Sequence, residues 1–490
     1  MKSEINNMIR LKGRCTTKDH IWGGVIKILL HAVLISVFAP VHADTACKLS
    51  PALYSQSVPD GAAVTLYEAP SVPKGSTCDS IAVTATCRAS VLVGAAKERY
   101  ASCMVLEEFT GLNFNRDPQK LDTRMLSETG TTYVRSFIDV LKLKEKFDER
   151  SAGGNTTPVL DPSSWQTMKD ATDDKKAKMI LSLQWDFRTT GSHPPLPGSE
   201  EEALLFSFLD RQILDPMAES LTIIVSGNEP FVDTDQSDWL TQSDIGGQPL
   251  VIFYARVTKH IDDYLKSQSL RSEVKLFVGA FTQLQFKNMQ NNKSVRRLMR
   301  FANMAPYVDG IDIHLHVKAM EDMVTALSFG RKFTSKPILV SEYTAVFGAR
   351  SALAKRLPLG DMFGQKWGLP STMAEIDYLS CHVFRIGKNC SSLPITAPAE
   401  WKDFLATRSW YIDDFLLKSD AVFRRFSVLG ATFGALQKVP SSTDLEPTGT
   451  PWFLGFVYSP ASIGYRENGM PNSNYQYLDD LRQLTKASQM

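Results

Sequence analysis

The chain has 490 residues, of which 43% are hydrophobic and 22% are charged, and its formal net charge is +1 at pH 7. A hydrophobic fraction of this size supports a large core and argues against general disorder. The 54 Lys and Arg residues are balanced by 53 Asp and Glu residues, and no long run of one sign occurs. This balance excludes an electrostatic nucleic-acid binder, so we expect no nucleic-acid partner.

The first segment has the pattern of an export signal. A mostly apolar stretch over residues 22–39 follows Arg10, Lys12, Arg14 and Lys18 and precedes Val41-His42-Ala43, which is typical of a cleavage site. We therefore predict a signal peptide over residues 1–43 and a secreted, periplasmic or cell-surface location. The alternative is an uncleaved anchor, although the stretch is shorter than the ~20 residues that span a bilayer. We expect no stable membrane partner unless the segment stays uncleaved.

Cysteine usage also indicates an oxidising compartment. Of the seven cysteines, six would remain after cleavage, which is an even number suited to disulfides. We predict a local bridge between Cys381 and Cys390, with the other four cysteines stapling a segment of short strands and loops over residues 44–102. Zinc is the alternative, but no C-x-x-C spacing supports it. The six cysteines are Cys47, Cys78, Cys87, Cys103, Cys381 and Cys390.

Residues 103–490 have the pattern of a (β/α)8 TIM barrel, because apolar runs alternate there with stretches of helical period. An open doubly wound sheet is the alternative, but no glycine-rich phosphate loop follows the first strand. The eight predicted strands are Met104 to Asn113, Thr132 to Ile138, Ala177 to Trp185, Leu221 to Asn228, Lys275 to Phe281, Gly310 to His316, Pro337 to Glu342 and Ser427 to Leu436. The predicted helices are Pro118 to Leu126, Leu141 to Phe147, Trp165 to Asp173, Glu200 to Glu219, Pro249 to Ser267, Ser294 to Met304, Ala319 to Phe329, pieces of Met373 to Phe426, and Asn474 to Ala487.

Two of these strands end in a glutamate. The fourth reaches Asn228-Glu229 and is followed by a proline, which has no N–H to continue a ladder. In the seventh, the alternation of side chains is expected to place Ile338, Val340 and Glu342 on one face. Each strand would therefore deliver one carboxylate at its carboxyl end. Two such carboxylates are what a carboxylate-pair hydrolase needs.

In a TIM barrel the active site lies at the carboxyl ends of the strands. A retaining glycosidase there needs two carboxyl groups ~5–5.5 Å apart, one as nucleophile and one as acid/base. A nearby arginine would keep the nucleophile ionised, and a second carboxylate would raise the pKa of the acid. The candidate residues at the strand ends are Arg135, Trp185, Asp186, Asn228, Glu229, His314, His316, Glu342 and Tyr343.

With Asn-Glu-Pro ending the fourth strand and Ser-Glu-Tyr ending the seventh, the chain resembles the large clan of retaining (β/α)8 glycoside hydrolases. That clan includes cellulase-like, mannanase-like and β-xylosidase-like families, and the resemblance covers residues 103–490 without selecting one of them. It implies that Glu229 is the acid/base and Glu342 the nucleophile. It further implies that Arg135 matches the strand-two arginine and that Asn228 holds the sugar 2-hydroxyl.

The chain departs from the clan at two places. The clan often has His-x-Tyr at the end of strand six, whereas this chain has His314 and His316, so Tyr343 is the candidate to replace the missing tyrosine. The clan usually ends strand eight with a tryptophan that floors the sugar subsite, but none occurs there. Trp452, in the following loop, is the candidate platform, and Trp185 is a further candidate substrate contact.

The leading hypothesis is a secreted, monomeric glycosidase that acts on a carbohydrate and needs no cofactor or metal. The first alternative is a metal-dependent barrel hydrolase in which His314 and His316 bind an ion together with the two glutamates. The second is a non-catalytic carbohydrate-binding or cell-surface barrel, which the missing tryptophan keeps open. Simpler structural roles also remain: Glu229 could stabilise a helix N-terminus, and Arg135 could be an ion-pair partner within the barrel.

Overall fold

The computed structural model describes residues 47–48, 57–67, 71–73, 77–94, 104–106, 108–154, 159–174, 176–242, 247–387, 389–441, 443–446 and 449–489. The predicted signal peptide and Cys103 lie outside these ranges. Among the described helices, none is both long enough and apolar enough to cross a membrane.

Eight parallel strands form a closed barrel, which confirms the predicted TIM-barrel class. Around the barrel the strands follow the order β1-β2-β3-β4-β5-β6-β7-β8, with β8 pairing back onto β1. Every predicted strand has its counterpart. The strands are β1 (Phe109–Asn113), β2 (Tyr133–Asp139), β3 (Lys178–Gln184), β4 (Leu221–Val225), β5 (Lys275–Phe281), β6 (Gly310–His316), β7 (Ile338–Thr344) and β8 (Val428–Gly434).

The first predicted strand, Met104 to Asn113, is two strands with different partners. Met104–Leu106 pairs with Ser71–Pro73 outside the barrel, and only Phe109–Asn113 joins it. Two adjacent glutamates, residues 107 and 108, interrupt the apolar run at this junction. The carboxylate of Glu108 lies 3.4 Å from Arg424 at the surface. A single strand through this point was therefore the wrong prediction.

Helices surround the barrel in the predicted order. Pro249–Ser267 has the predicted bounds, and the predicted Glu200 to Glu219 helix continues through a π-helical turn at Asp210–Leu214. The remaining α-helices are Thr123–Thr129, Val140–Ala152, Pro162–Asp173, Phe187–Thr190, Glu200–Leu209, Asp215–Met217, Gln236–Leu240, Lys287–Asn291, Lys293–Met304, Met320–Arg331, Val346–Ala354, Asp361–Trp367, Glu375–Asp377, Pro398–Ala406, Phe415–Arg425, Pro460–Ile463 and Tyr475–Gln489. A second π-helical turn spans Tyr378–Val383, and short 3₁₀ helices span Cys78–Ile81, Pro118–Lys120, Ala218–Ser220, Thr443–Leu445 and Trp452–Leu454.

Two hydrophobic layers hold the barrel together. The larger lies between the outer faces of the strands and the helices. The smaller is contributed by barrel strands alone and fills the barrel interior, as expected for a packed TIM barrel. It leaves the carboxyl ends of the strands to polar side chains. The interior residues are Phe109, Tyr133, Ile180, Ile223, Val225, Phe277, Leu339 and Leu429.

A helical insertion between β7 and β8 has a hydrophobic core of its own. The core includes Phe363, Trp401 and Phe404 from the insertion, together with Phe453 and Leu454 from the loop after β8. The predicted Cys381–Cys390 bridge is present within the insertion. The insertion therefore packs against the loop that carries the candidate platform residue.

The N-terminal segment contains the predicted short strands and disulfides. Ala63–Tyr67, Ala82–Arg88 and Val91–Val93 form an antiparallel sheet, and Cys47–Lys48 pairs with Ser57–Val58. Cys47 and Cys87 form a disulfide that joins the two pieces, and Cys78 is disulfide-bonded as well. A covalent link of this kind stabilises a segment whose hydrophobic cluster is small.

Candidate active site

A cavity of about 300 Å³ opens at the carboxyl ends of the barrel strands. It brings together six of the predicted site residues: Asn228, Glu229, His316, Glu342, Tyr343 and Trp452. Its size is at the lower end of the range for small-ligand pockets. The other lining residues are Asn113, Asn115, Phe137, Gln184, Thr344, Gly434, Gly455 and Phe456.

The turn after β4 is shaped by the residues that precede Glu229. A Cβ atom on Gly227 would lie 2.2 Å from the carbonyl oxygen of Gly279 and 2.4 Å from the ring of Tyr254, so only glycine fits there. Glu229 has a φ of 47°, in the left-handed region that costs a non-glycine residue about 1–2 kcal/mol. This strained backbone turns the Glu229 side chain into the cavity. Strain of this kind is concentrated at functional sites.

Glu342 faces the cavity, but for a different structural reason from the predicted one. Ile338 and Val340 face outward into the layer beneath the helices, whereas Leu339 faces the barrel interior. The pairing register with β6 shifts by one residue before Glu342, as a β-bulge does. The bulge restores Glu342 to the inner face. The prediction that Ile338, Val340 and Glu342 share a face was therefore wrong, although the end of β7 does deliver the carboxylate.

Arg135 lies fully buried beneath the cavity and is hydrogen-bonded to residues of four other strands or strand ends. Its guanidinium donates to the carboxylate of Glu342, to Oδ1 of Asn228 at 2.6 Å and to Oδ1 of Asn113 at 3.2 Å. It also donates twice to Oγ of Ser182, at 3.1 and 3.0 Å. The predicted arginine therefore holds both Glu342 and the residue next to Glu229.

His314 and His316 lie between the two carboxylates. Nδ1 of His314 is 3.1 Å from Oε1 of Glu229 and 3.9 Å from Oε2 of Glu342. Nε2 of His316 is 3.5 and 3.9 Å from the same two oxygens. Because both carboxylates meet Nδ1 of His314, about 7 Å is an upper limit for the distance between their oxygens. The ~5–5.5 Å that separates the two carboxyl groups of retaining enzymes lies within this limit. The limit also overlaps the lower edge of the carboxyl separations of single-displacement enzymes.

The charges in the site lower the pKa of both glutamates. Burial alone would raise the pKa of Glu342, but the neighbouring His314 and Arg135 outweigh burial and lower it. Burial would also raise the pKa of Glu229, and hydrogen bonds from His314 and His316 lower it instead. Conversely, burial would lower the pKa of His314, whereas the two carboxylates raise it. The expectation of a raised pKa at Glu229 is thus reversed in the substrate-free site.

Asp233 is a site residue that the sequence analysis missed. It is buried, its Oδ2 accepts a hydrogen bond of 2.8 Å from Gln184, and its backbone N–H donates to the carbonyl of Glu229. Burial, with the nearby charge of Glu229, raises the pKa of Asp233 to about 7. Arg116 donates to the other end of the Gln184 amide. The spacing of Asp233, four residues after Glu229 in a loop, gave no periodic signal.

Trp452 contributes an aromatic surface at the cavity, as predicted. Its ring is 43% exposed and meets His316 edge-on, with ring centroids 4.8 Å apart. It also meets Phe347 at 6.4 Å. The loop after β8 therefore supplies the tryptophan that the strand itself lacks.

Two other predicted contacts have aromatic rings that pack away from the cavity. Trp185 is fully buried: its Nε1 donates to the carbonyl of Ser226, and its ring packs against Phe253 outside the cavity. Its neighbour Asp186 accepts from Thr189 and caps a short helix. The ring of Tyr343 packs among phenylalanines beneath the outer helices, on the face of β7 opposite Glu342. Its ring partners are Phe415, Phe423 and Phe433.

The site also contains a set of atoms that fit a metal ion. Glu229, His314 and His316 each offer one ligand atom, and the three atoms lie within 4.8 Å of one another. Two imidazole nitrogens and a carboxylate oxygen form a donor set typical of catalytic zinc. Asp312 lies below them. Its carboxylate accepts hydrogen bonds from the hydroxyl and the backbone N–H of Ser341 instead of facing the cavity.

No protein-family model and no curated protein matches this chain. Among solved structures, the chain aligns with an endo-β-1,4-glucanase from Xanthomonas axonopodis pv. citri over 77% of this chain and 99% of that one, with 10% identity and a TM-score of 0.41. A glycoside hydrolase family 5 enzyme from Prevotella bryantii B14 aligns over 78% and 96%, with 12% identity and a TM-score of 0.43. A GH1 β-glucosidase from Exiguobacterium antarcticum B7 aligns over 78% and 98%, with 8% identity and a TM-score of 0.42.

Proposed function

We propose that this protein is an exported retaining glycoside hydrolase that cleaves an oligo- or polysaccharide by double displacement. The observation that carries the proposal is the meeting of Glu229 and Glu342 at one nitrogen of His314, at the mouth of a TIM barrel. The separation allowed by that contact includes the range of double displacement. The disulfides of the chain support export.

In this mechanism Glu342 attacks the anomeric carbon and the glycosidic bond breaks, while Glu229 donates a proton to the departing oxygen. Water then attacks the glycosyl-enzyme, giving its proton to Glu229 and releasing Glu342. Arg135 supports the first role, because it helps to keep Glu342 ionised. Asn228 uses its Oδ1 to bind Arg135, so its NH₂ group is the part that can donate to a sugar hydroxyl.

The acid role of Glu229 needs a proton at the moment of bond cleavage. Nδ1 of His314, 3.1 Å from the Glu229 carboxylate, is within hydrogen-bond reach to supply it. Trp452 presents an aromatic face at the cavity on which a sugar ring can stack. In this proposal His314 supplies the proton that Glu229 needs, and Trp452 supplies the surface on which the sugar stacks.

The test is a screen of aryl-glycosides and polysaccharides with the wild type, Glu342→Ala and a control, Glu467→Ala, at an exposed glutamate. We expect hydrolysis by the wild type and the control, and loss of nearly all turnover in Glu342→Ala. Equal activity of all three proteins would refute the proposal. Sugar binding without hydrolysis by the wild type would favour the non-catalytic barrel, and loss of hydrolysis on chelation would favour the metal-dependent hydrolase.

A further inference from the structure

We propose that the substrate-free cleft binds one divalent transition-metal ion of the zinc class through Oε1 of Glu229, Nδ1 of His314 and Nε2 of His316. The binding itself does not depend on the proposed hydrolysis. The ion occupies the position in which Glu229 would meet a glycosidic oxygen, so it acts as an inhibitor of the glycosidase rather than as its cofactor.

The geometry of the three atoms is the first support. Zinc binds imidazole nitrogen and carboxylate oxygen at ~2.0–2.2 Å, so two ligand atoms on one ion lie about 3–3.5 Å apart. Oε1 of Glu229 is already 3.1 Å from Nδ1 of His314 and 3.5 Å from Nε2 of His316. All three atoms lie within 4.8 Å of one another, so a small inward movement of the imidazoles completes the set.

The groups behind the imidazoles are the second support. Metal-binding histidines generally hold their other ring nitrogen in a hydrogen bond. Here Nε2 of His314 is 3.0 Å from Oγ of Ser341, and Nδ1 of His316 is 3.0 Å from Oγ1 of Thr344. Ser341 gives its one hydroxyl hydrogen to Asp312, so its oxygen accepts from N–H at Nε2 of His314. In the neutral ring this places the lone pair on Nδ1, the atom that faces Glu229.

Charge and access are the third support. Two carboxylates, Glu229 and Glu342, face the histidines, and Arg135 balances the charge of only one of them. Oε2 of Glu342 lies 3.9 Å from both imidazole nitrogens, where it would face the open coordination position. The carboxylates line the 300 Å³ cavity, which gives an ion and its water a path from solvent.

The test titrates the chelator-treated full-length protein with Co²⁺, following visible absorption and calorimetric stoichiometry. We expect one Co²⁺ per chain, with visible absorption bands that Zn²⁺ abolishes by displacement. His316→Gln should weaken binding at least about 100-fold, and Thr344→Val about 10-fold, because the valine leaves Nδ1 of His316 without its partner. His193→Gln and His260→Gln are matched controls at histidines that each pair with an aspartate outside the cavity, and they should bind as the wild type does.

Thermal unfolding of each variant separates loss of the site from loss of the fold, and Thr344→Val retains the shape of the side chain. Absence of stoichiometric Co²⁺ binding by the wild type, or unchanged affinity in His316→Gln and Thr344→Val, would overturn the proposal. Where hydrolysis is measured, chelation should raise it and Zn²⁺ should lower it. Intact Co²⁺ binding with hydrolysis that is lost on chelation would overturn the retaining mechanism and the inhibitory role, and would leave the metal site standing.

Discussion

Arg135 and Glu342 form an ion pair across the barrel interior, and the arginine side chain has no exposed surface at all. A buried charge of this kind is tolerated because every part of the guanidinium has a hydrogen-bond acceptor, from Asn113, Ser182 and Asn228 as well as the glutamate. The pair therefore has two effects: it stabilises the barrel, and it helps to keep the proposed nucleophile, Glu342, ionised.

Replacing this arginine should destabilise the protein strongly. Arg135→Met removes the donors to Glu342, and loss of one member of a buried ion pair costs about 3–5 kcal/mol. The free energy of unfolding, measured by urea denaturation, should fall by that amount. The control is Arg124→Met at an exposed pair with Asp122, where little or no change in the free energy of unfolding is expected. Equal losses in the two variants would show that burial of the pair has no special effect.

The two glutamates should respond differently to added azide. Glu342→Ala cannot form a glycosyl-enzyme, so it should lose activity on every substrate, and azide should give a glycosyl azide of inverted configuration. Glu229→Ala should keep its first step with an activated aryl leaving group that needs no protonation, and azide should give the retained product. Product configuration, determined by NMR, checks the assignment. The opposite pattern would exchange the roles of the two residues.

Stability should depend on pH through Asp233. Its pKa is raised from 3.8 to about 7 in the folded protein, so the folded state keeps a proton that the unfolded state releases between about pH 4 and pH 7. Folding stability should therefore fall as pH rises through this window. Asp233→Asn should remove that decline and be more stable than the wild type at pH 8 by up to about 4 kcal/mol, since one pKa unit is about 1.4 kcal/mol.

Urea midpoints between pH 4 and pH 8 measure this effect. Asp173→Asn, at an exposed helical position, is the control and should follow the wild-type pH dependence. A decline of the same slope in Asp233→Asn would show that another group titrates in this window.

Trp452 should affect substrate use without affecting the fold. An aromatic contact is worth ~0.5–1.5 kcal/mol, so Trp452→Ala should lower kcat/KM for oligosaccharides by about two- to twelvefold. The unfolding free energy should change by no more than ~0.5 kcal/mol, because the side chain is largely at the surface. Tyr465→Ala, at another exposed aromatic residue, should leave kcat/KM unchanged. No difference between the two variants would remove Trp452 from the sugar-binding surface.

Sequence patterns predicted the barrel well because each strand is an apolar run bounded by polar or turn residues. They also predicted the residues at the strand ends, since parallel strands end at one edge of the barrel. They failed where one extra residue in a strand reverses the face of the sheet on which the following side chains lie. The bulge before Glu342 cannot be recognised from alternation alone, because it arises from the pairing of β7 with β6. Tyr343 was selected as a replacement for the tyrosine that the clan has at the end of strand six, whereas alternation alone places it on the face opposite Glu342.

Contacts made by loops were the other failure. Trp185 follows β3 directly, so its position in the sequence predicted that it would line the cavity. The chain turns there, and the indole N–H of Trp185 donates instead to the carbonyl of Ser226. Asp233 and Gln184 meet only because the loop after β4 folds over the end of β3. Tertiary packing of this kind leaves no periodicity in either segment.

The helical insertion between β7 and β8 has a bearing on how this protein could change. Phe453, next to Trp452, packs against Phe384 of the insertion with ring centroids 4.7 Å apart. Substitutions in the insertion can therefore shift the tryptophan while the proposed catalytic residues in the barrel stay fixed. Substrate preference can drift, or be selected in the laboratory, through a library confined to the insertion, without the loss of folding that changes around Arg135 would bring.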